Sequence, residues 1–341
     1  MNIQDPANPP LKDKDYASNQ EVRWCAGCGD YAIIKAVQKT LAAVGAKKEN
    51  TVFVSGIGCS SRFPYYIDSY GFHGIHGRAP AIASGTLLAN PDLDVWVITG
   101  DGDGLSIGGN HLLHILRRNF NCQILLFNNG TYALTKGQYS PTSLKGQRSP
   151  SSPMGVIDPP LEPAQFAIGA GARFVARAID TQQKQLVDIL TQAYHHQGAA
   201  FVEIFQNCVV FNDGMTESFA AKSTASDAQV MLEEGKPLTF GKNGERALKC
   251  DPGKLNLKVY DVGGEEDDGH CEILHDPSNR TLAFLLAQLE LPDQPLATGI
   301  IYNDPSPSYE VETYKQIEQA QENSQRRRMN DVLKQGFTWT I

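Results

Sequence analysis

The chain has 341 residues and a formal net charge of −8, from 30 Lys and Arg against 38 Asp and Glu. That length suffices for a packed core in one domain or two. The acidic balance excludes nucleic acid as the main partner, because phosphate binding is dominated by Lys and Arg. No apolar run is long enough to span a bilayer and no signal-type segment opens the chain, so a cytoplasmic protein with no membrane partner is expected.

In chain order, residues 1–20 are rich in Pro, Asp, Asn and Lys and read as an extended arm lying on another subunit. From Asp30, a plausible N-cap, Ile33, Val37, Leu41 and Val44 recur at helical spacing up to a stop at Gly45. A strand at Thr51 to Ser55 runs into the turn Gly56-Ile57-Gly58-Cys59-Ser60-Ser61-Arg62. A second strand, Val95-Trp96-Val97-Ile98-Thr99, delivers Gly100-Asp101-Gly102. A helix around Leu112, Leu113 and Leu116 follows, with Gly108-Gly109 turning its N-terminus toward an anion. A third strand from Gln123 to Phe127 ends at Asn128-Asn129. Residues 138–163 lack periodicity and read as a long functional loop. Phe174-Val175-Ala176 then reads as a strand, Gln182 to His196 as a helix burying Leu186, Ile189, Leu190 and Ala193, and Phe201 to Phe205 as a buried strand.

This βαβα alternation predicts an α/β fold with a mostly parallel central sheet covered by helices on both faces. Beyond Gly214 the sequence reads as a polar, irregular extension. It holds an acidic cluster at Glu265-Glu266-Asp267-Asp268 and a charged helix over 313–335 with Arg326-Arg327-Arg328, both read as solvated surface. The expected division is an arm at 1–20, a cofactor-binding domain at 21–215 and an extension with a terminal helix at 216–341.

The Gly100 to Thr131 run reads as a cradle for a metal-bound diphosphate. Glycines let backbone amides approach an anion. Asp101, the Asn129 side chain and the Thr131 carbonyl supply three oxygens to Mg²⁺, leaving its other octahedral positions to diphosphate and water. A Rossmann site fits less well, because no Gly-x-Gly-x-x-Gly opens a helix directly.

Seven cysteines, an odd number, point to metal or redox use rather than a disulfide framework. Cys25 and Cys28 form a CxxC, Cys59 follows a glycine turn and Cys208 a strand, while Cys122, Cys250 and Cys271 read as incidental thiols. A CxxC serves zinc, a dithiol pair or an iron–sulfur cluster, and four converging thiolates suit zinc and [4Fe–4S] equally by geometry.

Gly100-Asp101-Gly102 followed a helix and a strand later by Asn128-Asn129 matches the thiamine diphosphate motif. More narrowly, Gly100-Asp101-Gly102-Asp103, Ile107-Gly108-Gly109-Asn110-His111, Arg117-Arg118-Asn119 and Thr135-Lys136-Gly137-Gln138-Tyr139-Ser140-Pro141-Thr142 resemble the β subunit of 2-oxoacid:ferredoxin oxidoreductases. The resemblance covers about residues 20 to 215 and implies the thiamine diphosphate-binding fold. It implies cofactor contacts from Gly58, Cys59, Ser60, His76, Gly100, Asp101, Gly102, Asp103, Asn129, Thr131, Leu134 and Thr135. Asp101, Asn129 and Thr131 would hold Mg²⁺. Trp24-Cys25-Ala26-Gly27-Cys28-Gly29, Gly58-Cys59-Ser60 and Asn207-Cys208 match the family's cluster segments, implying a [4Fe–4S] cluster on Cys25, Cys28, Cys59 and Cys208. Chemistry agrees, because decarboxylation of a 2-oxo acid on thiamine leaves electrons that zinc cannot accept.

Arg62, His73, His76, Arg78 and Lys136 lie on turns near the motif and make an anion pocket. His76, in a segment resembling the family's thiamine-pocket lining, is the expected contact to cofactor or intermediate. Arg62 and Lys136 are suited to a second carboxylate. In pyruvate-specific members the Lys136 position is commonly glycine, so the resemblance leans toward 2-oxoglutarate, oxidised with coenzyme A to an acyl-CoA and CO₂, with ferredoxin as acceptor. No segment supplies the glutamate that activates the cofactor, which implies a separate α subunit, an (αβ)₂ assembly and an inactive single chain. The rivals are a non-oxidative thiamine decarboxylase or carboligase, and a non-catalytic zinc-stapled assembly subunit.

Overall fold

The computed structural model describes residues 10–251, 253–264, 273–323, 328–337 and 339. Its strands are β1 (Thr51–Ser55), β2 (Tyr70–His73), β3 (Asp94–Gly100), β4 (Cys122–Asn128), β5 (Phe174–Ile179), β6 (Ala199–Phe205), β7 (Gln229–Leu232), β8 (Thr239–Phe240), β9 (Arg246–Asp251), β10 (Asn256–Asp261) and β11 (Leu296–Asn303). Eight of them form one sheet in the order β2-β1-β3-β4-β6-β5-β11-β7, and β10-β9-β8 form a small antiparallel sheet. Every pairing in the large sheet is parallel except β11 against β5.

Strands covered on both faces read as unbroken apolar runs, and the side chains of β3 divide accordingly. Val95 and Val97 join a core under the helices Ala79–Ala89, Gly109–Arg118, Pro163–Gly169 and Arg280–Ala287. Trp96 and Ile98 join another, with Phe53, Leu125 and Phe127, under the helices Asp30–Val44 and Gln183–His195. The expected α/β architecture is thus present. The helix from Asp30 ends at Gly45 in the left-handed conformation (φ 67°), while Gly29, not Asp30, is its N-cap.

Two segments differ from their expectation. The described part of the arm packs on its own chain: Tyr16 is fully buried and its hydroxyl donates to the Ala46 carbonyl at 2.5 Å. The region after Gly214 is less irregular than its polarity suggests, because β11 and β7 complete the large sheet and Leu282, Ala283 and Leu286 pack into its core. In place of the one charged helix expected over 313–335, the described residues form two, Tyr309–Glu322, which starts ahead of residue 313, and Met329–Leu333. The acidic cluster at 265–268, Arg326, Arg327 and Cys271 lie outside the described residues. Cys122 is buried at the start of β4, and Cys250 lies in β9.

One charged group is buried in the sheet. Arg177 on β5 pairs directly across with Glu203 on β6, Nε to Oε2 at 2.9 Å, with Glu162 3.8 Å from its Nη2. Burial, then the Glu203 charge, push the Glu162 carboxyl up to about 7 against the opposing pull of Arg177. A raised carboxylate value means the folded state holds the proton more tightly, so its stability contribution declines as pH rises from about 4.5 through 7. Glu162→Gln is therefore expected to raise stability at pH 8 by about 1–2 kcal/mol, after discounting its partial exposure, and to leave pH 4.5 nearly unchanged. Thermal melts at the two pH values check this.

Candidate active site

Because β1, β3, β4 and β6 run parallel, their C-terminal ends meet at one edge, where ligands of open α/β sheets bind. That edge carries the Gly56–Ser60 turn after β1, Gly100–Asp101 after β3, Asn128–Asn129 after β4 and Gln206–Cys208 after β6. The N-terminus of the Asp30–Val44 helix joins them through Gly29, whose amide donates to the Asn207 carbonyl at 3.3 Å. Residues distant in sequence converge for this topological reason.

A cleft of about 100 Å³ is lined by Ile57, Gly58, Cys59, Ser60, His76, Gly100, Asp101, Gly102, Asp103, Phe127, Asn129, Thr131, Tyr132, Ala133, Leu134 and Thr135. Every residue assigned above to cofactor contact is therefore brought to one cavity. Asp101 is buried, and its Oδ2 accepts from Ser140 Oγ at 2.5 Å and Thr142 Oγ1 at 2.7 Å. Burial holds its carboxyl above the usual range while these bonds pull it down. Asn129 Oδ1 accepts from the Thr131 amide at 3.1 Å. A carboxylate, an amide oxygen and a backbone carbonyl on one wall are the hard oxygen donors Mg²⁺ requires, so the residues fit the cation.

Gly102 is needed for close approach: a Cβ there would lie 2.3 Å from the Tyr132 ring, whose hydroxyl donates to the Gly102 carbonyl at 3.0 Å. The helical run departs from expectation here. A π-helical turn, Asp103–Ile107, precedes the Gly109–Arg118 helix, and Gly108 and Gly109 are not among the residues lining the cleft.

Asp103 anchors His76. Its Oδ1 accepts from His76 Nδ1 at 2.5 Å and from the Gly77 and Ile57 amides at 2.7 and 3.1 Å, while Oδ2 accepts from Thr99 Oγ1 at 2.6 Å. An oxygen already accepting two amide protons assigns the imidazole proton to Nδ1, leaving Nε2 for a ligand in the cleft. A Cβ at Gly56 would lie 2.0 Å from Asp103, so only glycine fits there.

A neighbouring cavity of about 300 Å³ is lined by Cys25, Cys28, Cys59 and Cys208 together with Trp24, Arg62, Lys136, Gln206 and Phe211, among others. It shares Cys59, Asn129, Ala133 and Leu134 with the first cleft. Burial pushes the Cys59 thiol up to about 12, with the nearby Asp30, Cys208 and Cys25 acting the same way, and raises Cys28 similarly. Among the described residues no three Cys, His, Asp or Glu stand together in a metal-holding group. Four cysteines around one cavity are nevertheless a donor set for a thiolate-ligated centre, and such a centre offsets the cost of burying thiolates.

The expected anion pocket is divided. Arg62 and Lys136 face the cysteine cavity, and Arg62 also lines a depression with Tyr65 and His73. His73 is tied to Ser55 and the Ser61 carbonyl at 3.0 Å, and Arg78 donates to the His76 carbonyl at 3.1 Å. Only His76 of the five enters the first cleft.

Sequence reasoning assigned no role to Ser140, Thr142, Glu203 or Gln206. Thr142 bridges Asp101 to Asn128, and Asn128 Nδ2 reaches Glu203 at 2.8 Å. The buried Arg177–Glu203 pair thus braces the motif aspartate through two side chains, Asn128 and Thr142. Asn128 serves this network and does not line the cleft. The Ser140-Pro141-Thr142 run in the long loop was the available signal.

Residues 56–204 match the family of thiamine pyrophosphate enzymes, C-terminal TPP binding domain. The chain is 48% identical to the 2-oxoglutarate oxidoreductase subunit KorB of Mycobacterium tuberculosis over 97% of its length and 89% of the relative's. It is 41% identical to 2-oxoacid:ferredoxin oxidoreductase 2, subunit beta, of Aeropyrum pernix over 60% and 66% of the two chains. A solved 2-oxoglutarate:ferredoxin oxidoreductase from Magnetococcus marinus, with 2-oxoglutarate, coenzyme A and succinyl-CoA bound, superposes with a TM-score of 0.76 at 32% identity, covering 96% of this chain and 97% of that one. A cleft with the thiamine diphosphate motif on an α/β sheet, and this degree of likeness over nearly the whole chain, identify a subunit of an oxidoreductase: the chain belongs to the β subunits of the 2-oxoacid:ferredoxin oxidoreductases.

Proposed function

We propose that the chain is the thiamine diphosphate- and [4Fe–4S]-bearing subunit of an enzyme oxidising 2-oxoglutarate with coenzyme A to succinyl-CoA and CO₂, passing electrons to ferredoxin in the cytoplasm. The observation that carries this reading is the shared wall: Cys59 and Asn129 line both the cofactor cleft and the four-cysteine cavity. Thiamine diphosphate, when bound, supplies the nucleophile for the keto carbon, and the cluster takes the electrons that decarboxylation leaves.

The chain's own residues hold and aim these groups. Asp101, Asn129 and the Thr131 carbonyl would hold Mg²⁺ on the diphosphate. His76, fixed by Asp103 through Nδ1, would turn its Nε2 lone pair into the cleft as an acceptor for a hydroxyl or N–H of the bound cofactor or intermediate. Arg62 and Lys136, beside the cleft, would take the distal carboxylate. Zinc at the four cysteines would leave that shared wall without an electron acceptor. An α subunit would complete the site with the activating glutamate, in an (αβ)₂ assembly, a reading supported by the beta-subunit names of the chain's relatives.

Anaerobic purification with the co-purifying partner tests the reading. Stoichiometric iron, sulfide and thiamine diphosphate, absorption near 400 nm, and 2-oxoglutarate-dependent ferredoxin reduction are expected, with none of that turnover from the verified single chain. A colourless protein with stoichiometric zinc would sink it.

Lys136 gives a sharper test of the substrate. It sits at φ 81°, in the left-handed region that favours glycine. A lysine held there at a conformational cost of roughly 1 kcal/mol needs a return, and a substrate carboxylate provides it. Lys136→Gly is expected to lower kcat/KM for 2-oxoglutarate relative to pyruvate about tenfold, as loss of a charged hydrogen bond does. The melting temperature should not fall. Equal ratios in the two proteins would remove Lys136 from substrate recognition.

A further inference from the structure

One carboxamide spans the wall between the two cavities. Gln206 follows β6 and is 1% exposed, and its amide donates to the Asn128 carbonyl at 2.9 Å, continuing the β4–β6 ladder past the Asn128–Phe205 pair. Its side chain uses every donor and its acceptor. Nε2 donates to Cys28 Sγ at 3.2 Å and to the Asn207 carbonyl at 2.8 Å, and Oε1 accepts from Asn129 Nδ2 at 2.9 Å. Reversing the carboxamide would set its NH₂ against the Asn129 NH₂ and its oxygen against the Asn207 carbonyl, so three contacts fix one orientation. Gly29 makes room for it, since a Cβ there would lie 2.7 Å from Gln206 Cγ.

Each end of this bridge has a consequence. With its NH₂ committed to Gln206, Asn129 must turn Oδ1 the opposite way, toward the Thr131 amide and the cleft. At the other end, an N–H directed at a cysteine sulfur stabilises the more negative, reduced form of an iron–sulfur centre over the oxidised form.

We propose that Gln206 is a positioning residue shared by both cofactor sites, aiming Asn129 Oδ1 at the diphosphate-bound cation and setting the reduction potential of the cluster through Cys28. This inference rests on the proposed roles of Asn129 and Cys28. No sequence motif points to Gln206, because its two partners lie 77 and 178 positions away in the chain.

The test uses the anaerobically purified protein with its partner, and two variants. Gln206→Leu keeps the bulk and removes both ends of the bridge. Gln206→Glu keeps an acceptor for Asn129 but has no N–H for Cys28. The midpoint potential is read by dithionite titration followed by electron paramagnetic resonance, and Mg²⁺-dependent thiamine diphosphate affinity by calorimetry. In the leucine variant the potential is expected to move to a more negative value and the affinity to fall roughly 10–100-fold, the range for outer partners of metal ligands. In the glutamate variant the potential should also move to a more negative value, with affinity held near wild type.

A wild-type potential in either variant overturns the Cys28 half, and wild-type affinity in the leucine variant overturns the Asn129 half. If the leucine variant does not fold, the glutamate variant decides: an affinity loss there refutes the acceptor role of Oε1. Absence of a cluster or of thiamine diphosphate from the wild-type protein would refute the proposed function itself, a result distinct from all of these.

Discussion

Replacing Asp101 by alanine is expected to weaken Mg²⁺-dependent binding of thiamine diphosphate by more than about 100-fold in calorimetric titration, because even outer partners of metal ligands are worth roughly 10–100-fold. Asp101 is the one carboxylate of the proposed cation set, and in its buried position no bulk water compensates for the lost charge. The isosteric Asp101→Asn separates binding from folding. An asparagine oxygen still accepts from Ser140 and Thr142, so the loop after Gln138 stays docked. Burial raises the Asp101 carboxyl, which means that ionised Asp101 costs folding stability at neutral pH, and that cost grows as pH rises. The asparagine variant without cofactor is therefore expected to melt no lower than wild type while binding fails. Thr142→Ala, which removes one outer contact and loosens the link to Asn128 and Glu203, should lose only about tenfold. Wild-type affinity in Asp101→Asn would remove the cation from this wall.

The gradation from Asp101 to Thr142 to Glu203 follows the boundary of what the sequence reveals. Asp101 and Asn129 are legible because they close two adjacent parallel strands, β3 and β4, and each strand announces itself as an apolar run buried on both faces. Arg177 and Glu203 are illegible for the same reason in reverse. A charge within a strand reads as a solvent face until the register sets the two directly opposite each other at the centre of the sheet. The strand β11 was missed because Gly299, at φ 113°, interrupts a short run, and because its antiparallel pairing with β5 shifts register between Ile300 and Tyr302. The π-helical turn at Asp103–Ile107 carries no compositional signal, and Gly108, which follows it, does not line the cleft. Local motifs thus reveal which residues line the cleft. The residues that hold those in place are set by strand order and register.

The second large effect is expected at Cys59, which lines both cavities and so distinguishes one combined site from two adjoining ones. Cys59→Ser should remove the absorption near 400 nm and most of the iron and sulfide, because a serine hydroxyl is a far poorer ligand for iron than a thiolate. Ferredoxin reduction should then fall to background. The turn itself should survive. Its backbone is held by Trp24 Nε1 donating to the Cys59 carbonyl at 2.7 Å and by the Arg62 amide donating to the same carbonyl at 3.2 Å, contacts that do not involve the sulfur. Trp24 is itself locked edge-on against Tyr31 and Tyr66. Thiamine diphosphate affinity should therefore stay within a few-fold of wild type. The proposed cation set of Asp101, Asn129 and Thr131 keeps every protein hydrogen bond described above, and a sulfur-to-oxygen exchange leaves no cavity of the size that costs several kcal/mol. Iron retained at the wild-type level in Cys59→Ser would take this cysteine out of the ligand set. Iron lost together with cofactor affinity would mean that the cluster, not the trunk of aromatic and backbone contacts, shapes the β1 turn. In that case the two cavities would assemble as a unit.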